Sequence, residues 1–358
     1  MLILGIETSC DETAAAVVGS DGWVHSSVVS SQVELHRPLG GVVPEIASRA
    51  HTRLILPVIR GALGAAGCGL DDVGGIAVTR GPGLVGALLV GVQTAKSLGY
   101  GLRRPVVGVH HLVGHMSAPL LRDAGVAGSI EHPYVALVVS GGHTSLISVE
   151  AEGTTRTLGR TRDDAAGEAL DKGAKILGMG YPGGPAIEKA AAAYDGPPAE
   201  PFPRGMRRRS ILDFSFSGLK TALMERVRAI GPSIDERTRA ALSLAYEEAV
   251  VDSLVTKAIE GCSRIGVPRL VVCGGVAANL RLREEMSSRA GRAGIAVLIP
   301  PPRYCTDNAA MIALAGARMI ALGVDEVFDL AASPYLPLPG ELSRASGPAP
   351  SRSRRTGA

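Results

Sequence analysis

The chain has 358 residues, 46% hydrophobic and 20% charged, which suits two domains with sizeable cores and excludes a disordered chain. Aromatics are only 3%, so the core must be built from Val, Leu, Ile and Ala, as in a sheet covered by Ala-rich helices. The formal charge of +3 comes from a tail in which Arg344, Arg352, Arg354 and Arg355 face one acid, Glu341, so a nucleic-acid contact elsewhere needs a local basic patch.

The amino terminus meets Glu7 and Asp11 too early for a signal peptide. Strands are predicted at Leu2–Glu7, Ala14–Val18 and Val24–Ser30, with a turn at Ser20–Gly22. Pro44 opens a helix to about Leu63, with a kink expected at Pro57. Strand Gly75–Thr79, helix Leu84–Leu98, strand Val106–Val109 and a helix from about Leu112 complete a first α/β unit. The longest uncharged apolar run, Gly81–Ala95, falls short of the ~20 residues a membrane span needs and is broken by glycines and a proline.

A second unit begins near Pro133, with strands at Tyr134–Val139, Ser145–Val149 and about Thr155–Gly159. Helices are expected at about Asp164–Leu177, Pro185–Tyr194, Ser217–Ala229 and Ile234–Cys262. Strand Arg269–Cys273, helix Asn279–Ala290, strand Ala296–Ile299 and helix Thr306–Leu322 follow. The expected division is 1–130 and 131–299, with 300–340 packing back on the first unit and 341–358 a disordered basic tail. Five widely spaced cysteines without a CxxC pair argue against a disulfide scaffold or zinc ribbon and for a reducing cytosol.

One internal echo stands out. Leu4–Ala14 and Ala136–Ser145 both read strand, small-residue turn, Thr, strand, so each presents N–H groups and hydroxyls at a hairpin mouth. Two such hairpins facing one cleft would clamp a phosphate, although two short hairpins also match by coincidence. Gly141-Gly142, Gly183-Gly184 and Gly274-Gly275 stand at strand ends or helix starts, where backbone can approach a nucleotide.

His111 and His115 are i and i+4, so on a helix both rings share one face and can hold one metal ion; a polar helix face or core histidines would give the same spacing. Leu112 stands where a zinc protease has its glutamate base, so peptide hydrolysis by that route is poorly supported. Asp307, at the start of the last helix, is a candidate third ligand, with helix capping as its ordinary alternative. Glu168, Asp171 and Lys175 form one helical polar stripe, a solvated face unless the flanking glycines mark a ligand. Asp11 and Glu12 are not expected to pair, because alternate residues of an extended segment point oppositely. Arg204, Arg207, Arg208 and Arg209 form the densest basic cluster, either solvated surface or a grip on a phosphate backbone.

ILGIETSCDETAAAVV, HHLVGHMSA, VVSGGHTSL, GEALDKGAKILGMGYPGGPAIEKAA, FSFSGLKTAL, CGGVAANLRLREEM and PPRYCTDNAAMIA, taken together, resemble the tRNA N6-adenosine threonylcarbamoyltransferase family of bacteria, once described as O-sialoglycoprotein endopeptidases. The resemblance implies a duplicated actin-like, sugar-kinase-like α/β fold around a nucleotide cleft. It implies transfer of threonylcarbamoyl from threonylcarbamoyl-AMP to the N6 amine of adenosine 37, beside the anticodon, in tRNAs reading codons that begin with A. Carried over by residue, His111, His115 and Asp307 correspond to ligands of a divalent metal, iron before zinc. Val138, Val139, Ser140, Gly141, Gly142, Asp171, Gly184, Glu188 and Asn279 correspond to positions contacting the adenylate, and Asp11 and Glu12 to the catalytic acids. Some relatives have Tyr at position 138 as an extra ligand, a part Val138 cannot take. The implied partners are tRNA, a shorter degenerate paralogue and a P-loop ATPase, in the cytoplasm. An ATP-dependent sugar or acetate kinase is the runner-up, since it shares the fold and the glycine loops.

Overall fold

In a computed structural model, which describes residues 1–123, 126–127, 129–151, 154–197, 199–206, 208, 210–231 and 233–340, the first strand β1 (Leu2–Glu7) pairs antiparallel with β2 (Glu12–Gly19), which pairs antiparallel with β3 (Val24–Ser31). A short helix α1 (Val33–His36) leads to α2 (Pro44–Ala66), β4 (Val73–Gly81), α3 (Val85–Leu102) and β5 (Val106–His110). The sheet order is β3-β2-β1-β4-β5, with β1, β4 and β5 parallel. Both faces of β1, β2 and β5 are covered, so these strands read as near-continuous apolar runs, while the edge strand β3 is half exposed; alternation still sorts the side chains. Ala15 and Val17 meet Ile55 and Ile59 of α2, while Ala14, Ala16 and Val18 meet the last helix from the other side.

The chain then forms α4 (His111–Ser117), a two-residue hairpin β6 (Arg122–Asp123) and β7 (Val126–Ala127), and three antiparallel strands β8 (Tyr134–Val139), β9 (Thr144–Ala151) and β10 (Thr154–Arg160). Helices α5 (Ala166–Ile176), α6 (Gly183–Ala192), α7 (Ser217–Ile230) and α8 (Glu236–Ile265) precede β11 (Arg269–Cys273), α9 (Leu280–Arg292), β12 (Ala296–Leu298) and α10 (Ala309–Ala321). The second sheet runs β10-β9-β8-β11-β12. Its strand order and directions repeat those of the first, so the two hairpins that echo in sequence occupy equivalent places.

Helix α10 returns to the first sheet, lying across β1, β2, β4 and β5. Its approach depends on glycine: a Cβ on Gly5 would collide with the Ala309 carbonyl oxygen, and one on Gly316 with Ala77 Cβ. Helix α4 does the joining. Its Leu112 and Met116 enter a cluster with Ala136, Val138, Ile147 and Val271 of the second sheet, while the chain around it is continuous with β5 of the first.

Some element bounds differ from those read in the sequence. Helix α2 runs unbroken through Pro57 to Ala66, beyond the expected end at Leu63. Helix α10 starts at Ala309 rather than Thr306 because Asn308 caps it, and α6 starts at Gly183 rather than Pro185. The β6–β7 hairpin and α1 have no counterpart in the sequence reading. The predicted disordered tail, 341–358, lies outside the described residues. Among the described residues no helix is long and apolar enough to cross a membrane, and all five cysteines are free.

Candidate metal centre

The end of β5 runs directly into α4, and His110 makes the junction. Its Nδ1 accepts the Leu112 N–H at 3.1 Å, capping the helix, while Nε2 donates to the Leu336 carbonyl at 3.0 Å. Burial holds the His110 imidazole neutral, with its pKa pushed down to about 4. The next residue begins the face that matters. His111 and His115 stack edge to face with ring centroids 4.6 Å apart.

Asp307 arrives from the turn before α10. Its Oδ1 lies 3.1 Å from His115 Nε2 and 3.5 Å from His111 Nε2, and the ligand atoms of all three residues lie within 4.8 Å of one another. Capping does not occupy this carboxylate: Asn308 Oδ1 accepts the Met311 N–H at 3.0 Å instead. His115 is fully buried, and neither of its ring nitrogens has an aligned hydrogen bond despite the nearby Asp307 oxygen. A buried orphan of this kind costs about 1–3 kcal/mol. Two imidazoles and a carboxylate converging on one point fit a divalent cation, which would relieve that cost.

Sequence reasoning missed Glu7. This fully buried carboxylate lies 3.0 Å from His111 Nδ1 and accepts the Thr79 hydroxyl at 2.6 Å and the Ser9 N–H at 2.5 Å. The available signal was an acid closing an otherwise apolar strand, LILGIE. Burial opposes charge on His111, but the carboxylates of Asp307 and Glu7 outweigh it and hold its pKa well above the ordinary value. Burial likewise acts to raise Asp307, and His111 with His115 overcomes it, holding that carboxylate well below the usual range. His143 was also missed; burial first, then the charge on His111 and His115, push it down to about 4.

Asp11 and Glu12 interact, contrary to expectation: the Asp11 carboxyl acts on Glu12 through its charge and at hydrogen-bonding range. The alternation rule fails because Asp11 lies in the bend at residues 9–11, ahead of the extended backbone of β2. Burial, the charges of Asp307 and Asp11, and that close approach push the Glu12 carboxyl up to about 9. The bend is pinned from outside: the Gln32 N–H donates to the Asp11 carbonyl at 3.0 Å, His51 Nε2 to the Cys10 carbonyl at 2.9 Å, and the Ser31 hydroxyl to Glu12 Oε1 at 3.0 Å.

The candidate adenylate positions lie on neighbouring elements of the second half. Val138 and Val139 are buried in β8, and the Val138 side chain packs in the apolar cluster with Leu112 and Met116. Ser140 Oγ accepts the His143 N–H at 3.1 Å, leaving Gly141 and Gly142 exposed with open space where side chains would stand. Asp171 leaves the expected stripe: its Oδ1 accepts the Gly183 N–H at 2.7 Å, at the start of α6, while Glu168 pairs with Lys172 at 3.0 Å. Gly184 follows in the same turn. Glu188 Oε1 accepts the Leu280 N–H at 2.6 Å, and Asn279 caps α9 while donating to Glu247 Oε1 at 2.6 Å. Of the arginine cluster, Arg204 is engaged with Asp252 at 3.1 Å and the Phe202 carbonyl at 2.7 Å; Arg208 is exposed, and Arg207 and Arg209 lie outside the described residues.

Comparison with known proteins gives the following. The tRNA N6-adenosine threonylcarbamoyltransferase family model matches residues 24–314. A protein of that name from Sorangium cellulosum is 50% identical over 355 residues, covering 97% of this chain and 99% of that one. Another from Symbiobacterium thermophilum is 52% identical over 337 residues, covering 94% and 97%. Among solved structures, component A of (R)-2-hydroxyglutaryl-CoA dehydratase from Acidaminococcus fermentans matches with TM-score 0.53 at 14% identity, covering 90% of this chain and 99% of that one. Full-length HypF in its phosphate- and nucleotide-bound form matches with TM-score 0.58 at 12% identity, covering 89% of this chain and 46% of that one. Such distant structures speak to the fold alone, and they agree with the duplicated actin-like architecture.

Proposed function

The chain belongs to the tRNA N6-adenosine threonylcarbamoyltransferase family, a family of tRNA-modifying transferases, and from that premise we propose the reaction its residues carry out. The threonylcarbamoyl group passes from threonylcarbamoyl-AMP to the N6 amine of adenosine 37 in tRNAs that read codons beginning with A. The N6–carbonyl bond forms, the carbonyl–oxygen bond to phosphate breaks, and AMP leaves with the bonding pair. A mixed carbamoyl–phosphate anhydride is already activated, so no covalent nucleophile is required of the protein.

His111, His115 and Asp307 would hold a divalent cation, iron in preference to zinc. When bound, it supplies Lewis-acid stabilisation of negative charge on the departing phosphate. The exposed Gly141 and Gly142 would offer backbone N–H groups to the adenylate, and Asp171, Gly184, Glu188 and Asn279 would line its nucleoside side. Burial and the charge of Asp307 push Glu12 towards its protonated form, and an Asp11 oxygen is assigned to take the proton the N6 amine loses. The exposed Arg208 and its neighbours Arg207 and Arg209 would serve tRNA contact, more than the ion-paired Arg204. A shorter degenerate paralogue and a P-loop ATPase would be working partners, in the cytoplasm.

The observation that carries this reading is the convergence of His111, His115 and Asp307 beside the Asp11–Glu12 pair. The test measures metal content, thermal unfolding and transfer from synthetic threonylcarbamoyl-AMP to tRNA, with purified partners, for the wild type and His115→Ala. The variant should keep its fold and lose both metal and transfer; full transfer by a metal-free variant overturns the metal's part in the reading.

A further inference from the structure

Glu7 is a fully buried carboxylate that the reaction above does not use. Three donors surround it. The Ser9 N–H reaches Oε1 at 2.5 Å, the Thr79 hydroxyl reaches Oε2 at 2.6 Å, and His111 Nδ1 lies 3.0 Å from that same Oε2. A carboxylate only accepts, so the hydrogen between Glu7 and His111 sits on Nδ1. The Ser9 hydroxyl, at 3.3 Å from Nδ1, is the more distant and uncharged neighbour. His111 Nε2 is then turned towards Asp307 Oδ1, 3.5 Å away, on the side of His115.

We propose that Glu7 is a positioning residue that fixes His111 with its hydrogen on Nδ1 and so presents the Nε2 lone pair to the cation shared with His115 and Asp307. The inference rests on the reading of those three residues as cation ligands. Thr79, on the neighbouring strand β4, holds Glu7 in turn, so the ring orientation is set by two strands of the first sheet and not by α4 alone.

The isosteric change Glu7→Gln separates this role from simple packing. A backbone N–H cannot turn away, so Ser9 keeps the amide oxygen at the place of Oε1. The amide nitrogen then faces Thr79 and His111. The hydroxyl can rotate to accept, but Nδ1 can accept only by giving up its hydrogen, which moves to Nε2 and blocks the ligand position.

The test uses the full chain and Zn2+ as probe. Competition with a chromophoric chelator should show E7Q binding zinc about 10- to 100-fold more weakly than the wild type, with a nearly unchanged urea midpoint. Thr79→Val, which leaves the Ser9 and His111 contacts in place, should lose less than E7Q. Nitrogen-15 NMR of the zinc-loaded wild type should find the His111 hydrogen on Nδ1 and the metal on Nε2. Zinc affinity in folded E7Q equal to the wild type's overturns the proposal, as does metal on Nδ1. If E7Q fails to fold, the NMR measurement on the wild type decides alone. A wild type that takes up no zinc defeats the cation reading itself, and this inference falls with it.

Discussion

Asp11 and Glu12 are adjacent acids whose neutralisation should have unequal effects. Glu12, pushed up to about 9, is driven towards its protonated form, so Glu12→Gln makes a small change of charge. Asp11→Asn removes the proton acceptor and should lower kcat by ~10²–10⁴-fold with little change in the KM for tRNA, while E12Q should cost about tenfold or less. Steady-state transfer assays check this, and the reverse order would assign the base to Glu12. His115 supports a second expectation. Its ring is buried with the Asp307 carboxylate beside Nε2 and with Nδ1 unpartnered. Saturating metal at ~100 times Kd should stabilise the wild type by about 2.7 kcal/mol and leave His115→Ala unmoved, as read by thermal shift. The two histidines were legible because helical spacing alone puts them on one face. Asp307 could not be told from a capping residue until Asn308 was seen to cap α10. Glu7 was hidden because its partners are lateral: Thr79 and His111 reach it through strand pairing, over sequence separations that no local pattern records.

Helix α4 is only seven residues long, too short to persist without its cap and its packing. The cap is His110, whose Nδ1 must stay unprotonated to accept the Leu112 N–H. Its pKa is lowered by folding, from about 6.5 in the unfolded chain to about 4, so the unfolded state binds the extra proton in that window. Stability is therefore full above pH 6.5 and falls as pH drops towards 4, by at most roughly 3 kcal/mol from this group. Urea unfolding between pH 7 and 4 should show that slope on top of the one from His143, and His110→Asn, which keeps a capping oxygen but does not titrate, should reduce the total by about half. Caps also explain where element bounds were misread. Asn308 delays α10 to Ala309, a local effect. Helix α6 begins early, at Gly183, because Asp171 on another helix accepts its first N–H; glycine propensity argues against that start, and only tertiary structure supplies the compensating acceptor.

At the scale of the molecule, the sequence echo of the two hairpins proved to be the visible trace of two sheets with one strand order. What the echo does not contain is how the halves are joined, since that depends on segments outside the repeat. Helix α4 presents its histidines to Asp307 and its apolar face to the second sheet. The segment after α10 ties the same junction from the other side. The Glu326 N–H donates to the Val106 carbonyl at 2.7 Å, and the carboxylates of Asp325 and Glu326 accept the Val106 and Gly108 N–H groups on the free edge of β5. Farther along, Leu336 accepts from His110, Leu338 is buried with Leu112 and Met116, and Pro339 accepts from Thr155 of β10. A side chain at that crossing stabilises both halves together, so Leu338→Ala should cost about 2 kcal/mol or more, although it touches no proposed ligand. Urea unfolding followed by far-UV CD and by metal release should shift together in this variant, with one coincident transition. Separate transitions for the two probes would show that the halves unfold independently and that α4 with this strap does not couple them.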